Sequence, residues 1–355
     1  MNPYKLLALR LDALPQGYPA TKDGAELRLL EKLFTPEEAE LAAMLRLTLE
    51  TSQEVAARIG GDPKETRLML KGMAKRGLIR AGKIEKGLGF GLLPFVVGIY
   101  EYQAGRMDEE LAALFEEYYQ QAFTSVLEME PLVHRVVPVN ETIRVDLEVA
   151  PYESVTNILD QAKAWGVLDC ICRQQKALIG DPCDHPIDVC MTFSSVPGAF
   201  DHNSTITALT RNEALDTLKR AADAGLVHSV SNSQEGLWYI CNCCSCSCGV
   251  LRGMAEMGVA NVIAKSSYIL AIDPDQCTGC EECLPYCQFN ALTMEGDVMT
   301  VSELKCVGCG VCVAHCDALA MELVLREEVV EPPVTEMEWL AARAENRGQD
   351  LDTVL

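Results

Sequence analysis

No stretch of this 355-residue chain stays apolar long enough to suggest a membrane span. The longest apolar run, Gly87 to Tyr100, is broken by Pro94 and falls short of the roughly 20 residues a spanning helix needs. A secretory leader is not expected either, because Met1 to Arg10 is short and amphipathic, and Asp12 and Pro15 close it before an apolar signal core forms. Nucleotide fingerprints are missing as well. The run Gly87-x-Gly89-x-Gly91 lacks a strand–glycine–helix setting and reads as a turn, and neither a P-loop nor a dinucleotide motif appears elsewhere. Positive charge is scarce, with 30 Lys and Arg against 52 Asp and Glu and a formal net charge of −22. From Asp273 onward, seventeen acids face only Lys305, Arg326, Arg343 and Arg347, a net of −13. These absences argue against a membrane-spanning, secreted or nucleotide-dependent protein and lead to the expectation of a cytoplasmic one.

Cysteine is what the chain has in abundance. Seventeen cysteines without a leader point to a reducing compartment and metal ligation rather than disulfides. Eight of them repeat one spacing: Cys277-x-x-Cys280-x-x-Cys283-x-x-x-Cys287, then Cys306-x-x-Cys309-x-x-Cys312-x-x-x-Cys316. Three thiolates spaced by two residues wrap one corner of a cubane, and the fourth, set further on, reaches the other cluster. The ligand sets then interleave: Cys277, Cys280, Cys283 and Cys316 for one 4Fe-4S cluster, Cys306, Cys309, Cys312 and Cys287 for the second. Zinc knuckles pair two CxxC units and leave a third and fourth cysteine in each run without a role.

These residues resemble the two-cluster bacterial ferredoxins, over about a sixth of the chain. Short strands are expected at Tyr268–Asp273, Leu292–Glu295, Val298–Val301 and Leu319–Glu322, which makes the repeat structural. One departure stands out. The family usually places proline after the fourth cysteine, whereas this chain has Gln288 and Asp317. Both residues restore a backbone N–H, and the Asp317 charge is expected to shift a nearby cluster toward low potential.

Nine further cysteines lie between Cys170 and Cys248: Cys170-x-Cys172-Arg173, Cys183-x-His185, Cys190, and the dense Cys241, Cys243, Cys244, Cys246, Cys248. A helix over Arg211 to Ala224 and the segment Gly225 to His228 separate the two ends of this block. The block is similar to multidomain bacterial iron-sulfur proteins that join a CxCR and CNCC-type module to a C-terminal two-cluster ferredoxin. A Cys-x-Cys pair in extended chain turns both thiols to one face, and five thiols within eight residues invite oxidation unless a metal holds them. At least one further iron-sulfur cluster is therefore expected here, with Cys170, Cys172, Cys190, Cys241, Cys243, Cys244, Cys246 and Cys248 as ligands. Zinc is the alternative occupant. Nine cysteines exceed the four of one cluster, so either two sites exist or some are spectators, and Cys183 and His185 stand last among the candidates. Arg173 reads as a donor to cluster sulfur, while His228 is either a core residue or a nearby hydrogen-bond donor.

At the N-terminal end, Thr35-Pro36-Glu37-Glu38 opens a helix through Leu47, Ser52 to Ile59 forms a second, and Asp62 caps a third from Pro63 to Lys75. Two strands, Leu78–Arg80 and Gly89–Val96, follow. This order looks like a winged helix-turn-helix domain over residues 35–97. Lys64, Arg67, Lys71, Lys75, Arg76, Arg80, Lys83 and Lys86 make it locally basic. The acidity of the whole chain opposes approach to phosphates, so docking a protein is expected rather than binding nucleic acid. The aromatics of Asp108–Phe123 fall at helical spacing and read as core.

An α+β protein of four segments is expected: a helical, winged-helix-like domain (1–125), a cysteine-rich α+β domain (126–265), a two-cluster ferredoxin domain (266–325) and an acidic tail with a short helix (326–355). The expected role is electron transfer with a redox partner whose docking surface is basic, as a subunit of a complex or oligomer. A redox-sensing winged-helix regulator and an oxidoreductase with a substrate-binding cluster in the central module are the alternatives.

Overall fold

Side-chain caps fix where the helices begin. Thr35 and Thr51 each accept the backbone N–H three residues on while Glu38 and Glu54 reach back to the cap, and Asp62 accepts from the N–H groups of Lys64 and Glu65. The orphan donors at three helix starts are thus satisfied locally. The computed structural model describes every residue except Met1, Gly258 and Ala260. Met1 heads the amphipathic stretch and Ala260 the expected link into the ferredoxin segment; both lie outside the described residues. Helices and sheets are both present, an α+β architecture, and the chain divides into two compact units, residues 1–130 with 340–355, and residues 131–339.

The first unit contains α1 (Pro3–Asp12), α2 (Ala25–Leu33), α3 (Pro36–Ala43), β1 (Glu50–Thr51), α4 (Ser52–Ile59), α5 (Pro63–Lys75), β2 (Ile79–Ile84), β3 (Gly87–Leu92) and α6 (Glu109–Leu127). Its three strands form an antiparallel sheet in the order β1-β3-β2. The second strand of the hairpin stops at Leu92, short of the expected Val96, and Pro94 supplies no N–H to carry the ladder further. The α6 aromatics Phe115, Tyr118, Tyr119 and Phe123 are buried against Tyr18, Phe95 and Tyr100, as core packing requires. Of the basic residues on α5 and the hairpin, Arg76 is paired with Glu38 and Lys86 with Glu54. Lys64, Arg67, Lys71, Lys75, Arg80 and Lys83 are exposed.

The second unit is built on a six-stranded antiparallel sheet, introduced in chain order as β4 (His134–Val136), α7 (Val155–Asp160), β5 (Ala164–Leu168), α8 (Ile171–Leu178), β6 (Cys190–Ser194), β7 (Thr207–Leu209), α9 (Arg211–Asp223), β8 (Val227–Ser231), β9 (Tyr239–Cys243) and α10 (Arg252–Glu256). The strand order is β4-β8-β9-β6-β5-β7. Leu159 from α7 and Leu218 from α9 pack with Met191, Phe193, Val230 and Ile240 of the sheet. The stretch Thr142–Val149 alternates apolar and polar residues as a strand would, yet it forms none. Asn140–Thr142 is a 3-10 turn, and Ile143 then makes a single bridge to Leu323, packing with it and with Tyr268. Burial of Ile143 on a neighbouring segment has outweighed strand propensity.

The ferredoxin-like stretch follows with β10 (Tyr268–Ile272), β11 (Leu292–Glu295), β12 (Val298–Val301) and β13 (Met321–Leu325). The first and last strands pair antiparallel, as do the middle two, so each half contributes one strand to each ribbon. The final strand begins at Met321 rather than Leu319, because Leu319 sits in the left-handed region at φ 53°. Helix α11 (Glu336–Asn346) ends the regular structure. The tail is anchored: Arg343 is fully buried and donates to the carbonyls of Pro15, Val126 and Met129, all within the first unit. Among the described residues no helix is long and apolar enough to cross a membrane.

Candidate metal centres

Both cysteine runs of the ferredoxin-like stretch turn at a glycine in the left-handed conformation. Gly279 and Gly308 have φ of 64° and 70°. A Cβ at Gly308 would lie 2.0 Å from the Tyr268 carbonyl oxygen, and one at Gly279 2.5 Å from that of Asp297. Only glycine fits there, and its turn aims the flanking thiols to one side. Each run then closes on a 3-10 turn, Leu284–Tyr286 or Val313–His315, that delivers the fourth cysteine.

Cys287 lines one small cavity together with Cys306, Cys309 and Cys312, closed by Leu270, Phe289 and Leu323. These are the four residues of one interleaved ligand set. The thiols that act electrostatically on Cys283 are those of Cys280, Cys316 and Cys277, the members of the other set. Burial pushes the Cys283 thiol up to about 11 and Cys309 up to about 12. As bare thiols they stay protonated near neutral pH, so a bound cation must supply the charge that makes them ligands. The N–H groups of Ala291 and Met299 already point at the sulfurs of Cys287 and Cys277, at 3.2 and 3.4 Å. Donors to sulfur and an apolar lining suit a 4Fe-4S cluster.

The nine central cysteines, all free thiols, separate into two groups. Six form a closed ring. Cys170 contacts Cys172 and Cys190, Cys172 contacts Cys248, Cys190 contacts Cys241, and Cys241 contacts Cys243. Cys243 completes it with Cys248, at an Sγ–Sγ distance of 3.3 Å. The sheet assembles this ring. Cys190 opens β6 opposite Leu168, the last residue of β5, and Cys170 caps the start of α8 two residues later. Cys241 and Cys243 share a face of the adjacent β9 because strand side chains alternate.

Arg173 lies against this ring. Burial alone would lower its guanidinium, but the thiolates of Cys170, Cys244, Cys190 and Cys243 outweigh burial and hold the charge in place. One of its nitrogens donates to the Asn242 carbonyl at 2.7 Å, while Nε and Nη1 are buried without a protein partner among the described residues. Unpaired buried donors beside thiolates fit a sulfur-rich group in the ring. His228 is buried, with a hydrogen bond between its Nδ1 and the Asn242 side chain. Burial lowers its pKa, so it is neutral.

The other three cysteines do not join the ring. Cys244 and Cys246, expected beside the six, lie instead with Cys183 and His185, the four ligand atoms all within 4.8 Å of one another. The reason is again strand alternation: Cys244 follows Cys243 and turns to the opposite side, where it is buried with Val189, Ala221, Leu226 and Cys183. Sequence spacing ranked Cys183 and His185 last because sixty residues separate them from Cys244. Asn242 was also missed. It ties His228, Arg173 and the Val189 carbonyl together between the two cysteines of β9.

Residues 269–317 match the family model of the 4Fe-4S dicluster domain. That segment has the pattern of an iron-sulfur domain. That match covers the two ferredoxin-like runs and stops short of the central module and the first unit. No curated protein matches the chain.

Proposed function

We propose that the protein transfers single electrons through two 4Fe-4S clusters, ligated by Cys277, Cys280, Cys283, Cys316 and by Cys306, Cys309, Cys312, Cys287, and through a further cluster in the ring of Cys170, Cys172, Cys190, Cys241, Cys243 and Cys248. The observation that carries this reading is the six-thiol ring with the Arg173 charge against it, in the same compact unit as the dicluster domain. Iron-sulfur groups supply reversible one-electron storage when bound. The chain's own residues set its level: Arg173 favours the more negative reduced state, whereas burial of the thiols opposes added charge. The acidic residues from Asp273 onward suit a basic docking surface on a redox partner, within a complex or an oligomer in the cytoplasm.

The order α3, β1, α4, α5, β2, β3 supports a winged-helix reading of the first unit, and the exposed Lys64, Arg67, Lys71, Lys75 and Lys83 favour a redox-sensing regulator as the second reading. The chain's net charge of −22 and the pairing of Arg76 and Lys86 with acids favour protein docking. An enzyme that binds substrate at the central cluster remains the third reading. Anaerobic purification followed by iron, sulfide and EPR analysis tests the assignment, with reducible signals expected from the dicluster domain and the central ring. A ring holding stoichiometric zinc without sulfide would remove the central cluster. Salt-sensitive, sequence-specific retention of DNA at physiological ionic strength would favour the regulator.

A further inference from the structure

The Cys183, His185, Cys244 and Cys246 group is a second set of ligand atoms beside the six-thiol ring. Its four ligand atoms lie within 4.8 Å of one another, and Cys246 Sγ is 3.6 Å from His185 Nδ1. A tetrahedral zinc ion with Zn–S of about 2.3 Å and Zn–N of about 2.0 Å holds its ligand atoms about 3.5–3.8 Å apart. A cubane puts four irons and four sulfides between its terminal thiolates and spreads them further. The quartet has the size of one ion.

The donors suit the same conclusion. Three thiols and one imidazole complete a tetrahedron and leave no open position, the arrangement of structural zinc rather than catalytic zinc. The Ser247 hydroxyl donates to Cys183 Sγ at 3.3 Å, an outer hydrogen bond of the kind that holds a ligand thiolate in place. Between Cys244 and Cys246 sits Ser245, whose N–H and hydroxyl both donate to the Gln288 side chain. Gln288 directly follows Cys287 in the dicluster domain.

We propose that Cys183, His185, Cys244 and Cys246 form a closed mononuclear zinc site, separate from every iron-sulfur cluster, that fixes the Ser245 turn on which Gln288 docks. The site ties the 183–185 loop to the 244–246 turn, two segments joined by no strand. This inference stands apart from the electron-transfer reading, because zinc has no redox role and its presence is measured independently of iron.

The test uses the full chain, purified anaerobically, washed with a chelator and analysed for zinc, iron and sulfide. One zinc per chain is expected beside the iron. The double substitution His185→Ala, Cys246→Ser should lower zinc at least tenfold while the iron-sulfur EPR signals persist. His185→Cys, which keeps four donors, should retain one zinc. With cobalt in place of zinc, it should shift the visible spectrum from a three-sulfur to a four-sulfur pattern. Wild-type protein without zinc, mononuclear iron in its place, or zinc content indifferent to the double substitution would overturn the proposal. Should the double variant not fold, an unchanged cobalt spectrum in His185→Cys would overturn it equally.

Discussion

The side-chain carbonyl of Gln288 accepts two hydrogen bonds from Ser245, one from its backbone N–H and one from its hydroxyl, each 2.9 Å long. The Gln288 amide nitrogen donates in turn to the Gly225 carbonyl at 3.0 Å. This is the position where two-cluster ferredoxins usually carry proline. The departure gives the dicluster domain a polar contact with two turns of the central module, at Gly225 and Ser245, that proline has no side-chain groups to make. Gln288→Ala and Gln288→Pro should each cost about 1–3 kcal/mol of stability with the clusters retained. Anaerobic denaturant unfolding checks this, and an unchanged midpoint in both variants would argue against the contact.

Interleaved ligation makes a pairing prediction. Cys287→Ala should leave the same EPR spectrum as Cys306→Ala, and Cys316→Ala the same as Cys277→Ala, each substitution removing about four irons per chain. Cys287→Ala resembling Cys277→Ala would place the fourth thiol on the cluster of its own run.

Arg173 should control the potential of the group held in the ring. Replacing it with leucine removes a buried positive charge beside the thiolates, which disfavours the added electron. A fall on the order of 60 mV, a tenfold change for one electron, is expected. Arg173→Lys should fall less, since the charge stays although the planar fork is lost. Potentiometric EPR titration measures both. A potential unmoved by Arg173→Leu would detach the residue from the group.

His134 makes the protein sensitive to acid. It is buried, both ring nitrogens lack a hydrogen-bond partner among the described residues, and burial lowers its pKa from 6.5 to about 4. Unfolded histidine takes up a proton below pH 6.5 that the folded residue refuses until about pH 4. Stability from this group is therefore complete above pH 6.5 and lost as pH falls through that window, by up to about 3 kcal/mol. His134→Leu should flatten this part of the pH profile, as measured by the difference in unfolding midpoint between pH 7 and pH 5. An equal acid loss in the variant would assign the sensitivity elsewhere.

The cysteine runs at 277–287 and 306–316 were legible from sequence because their ligands are local: two-residue spacing and a left-handed glycine at Gly279 and Gly308 shape each turn without outside help. The caps at Thr35, Thr51 and Asp62 and the buried stripe on α6 were legible for the same reason, since caps and helical faces are set within a few residues. The central module was not. Cys170, Cys190 and Cys241 meet only because β5, β6 and β9 lie side by side, and strand order is a long-range choice that spacing does not encode. The end of β9 then divides neighbours in sequence, sending Cys243 to the ring and Cys244 to Cys183 and His185. Composition announced thiols in excess, and spacing paired those within one turn. Which distant thiols share a metal was decided by the sheet, where register and alternation bring side chains together across sixty residues of chain.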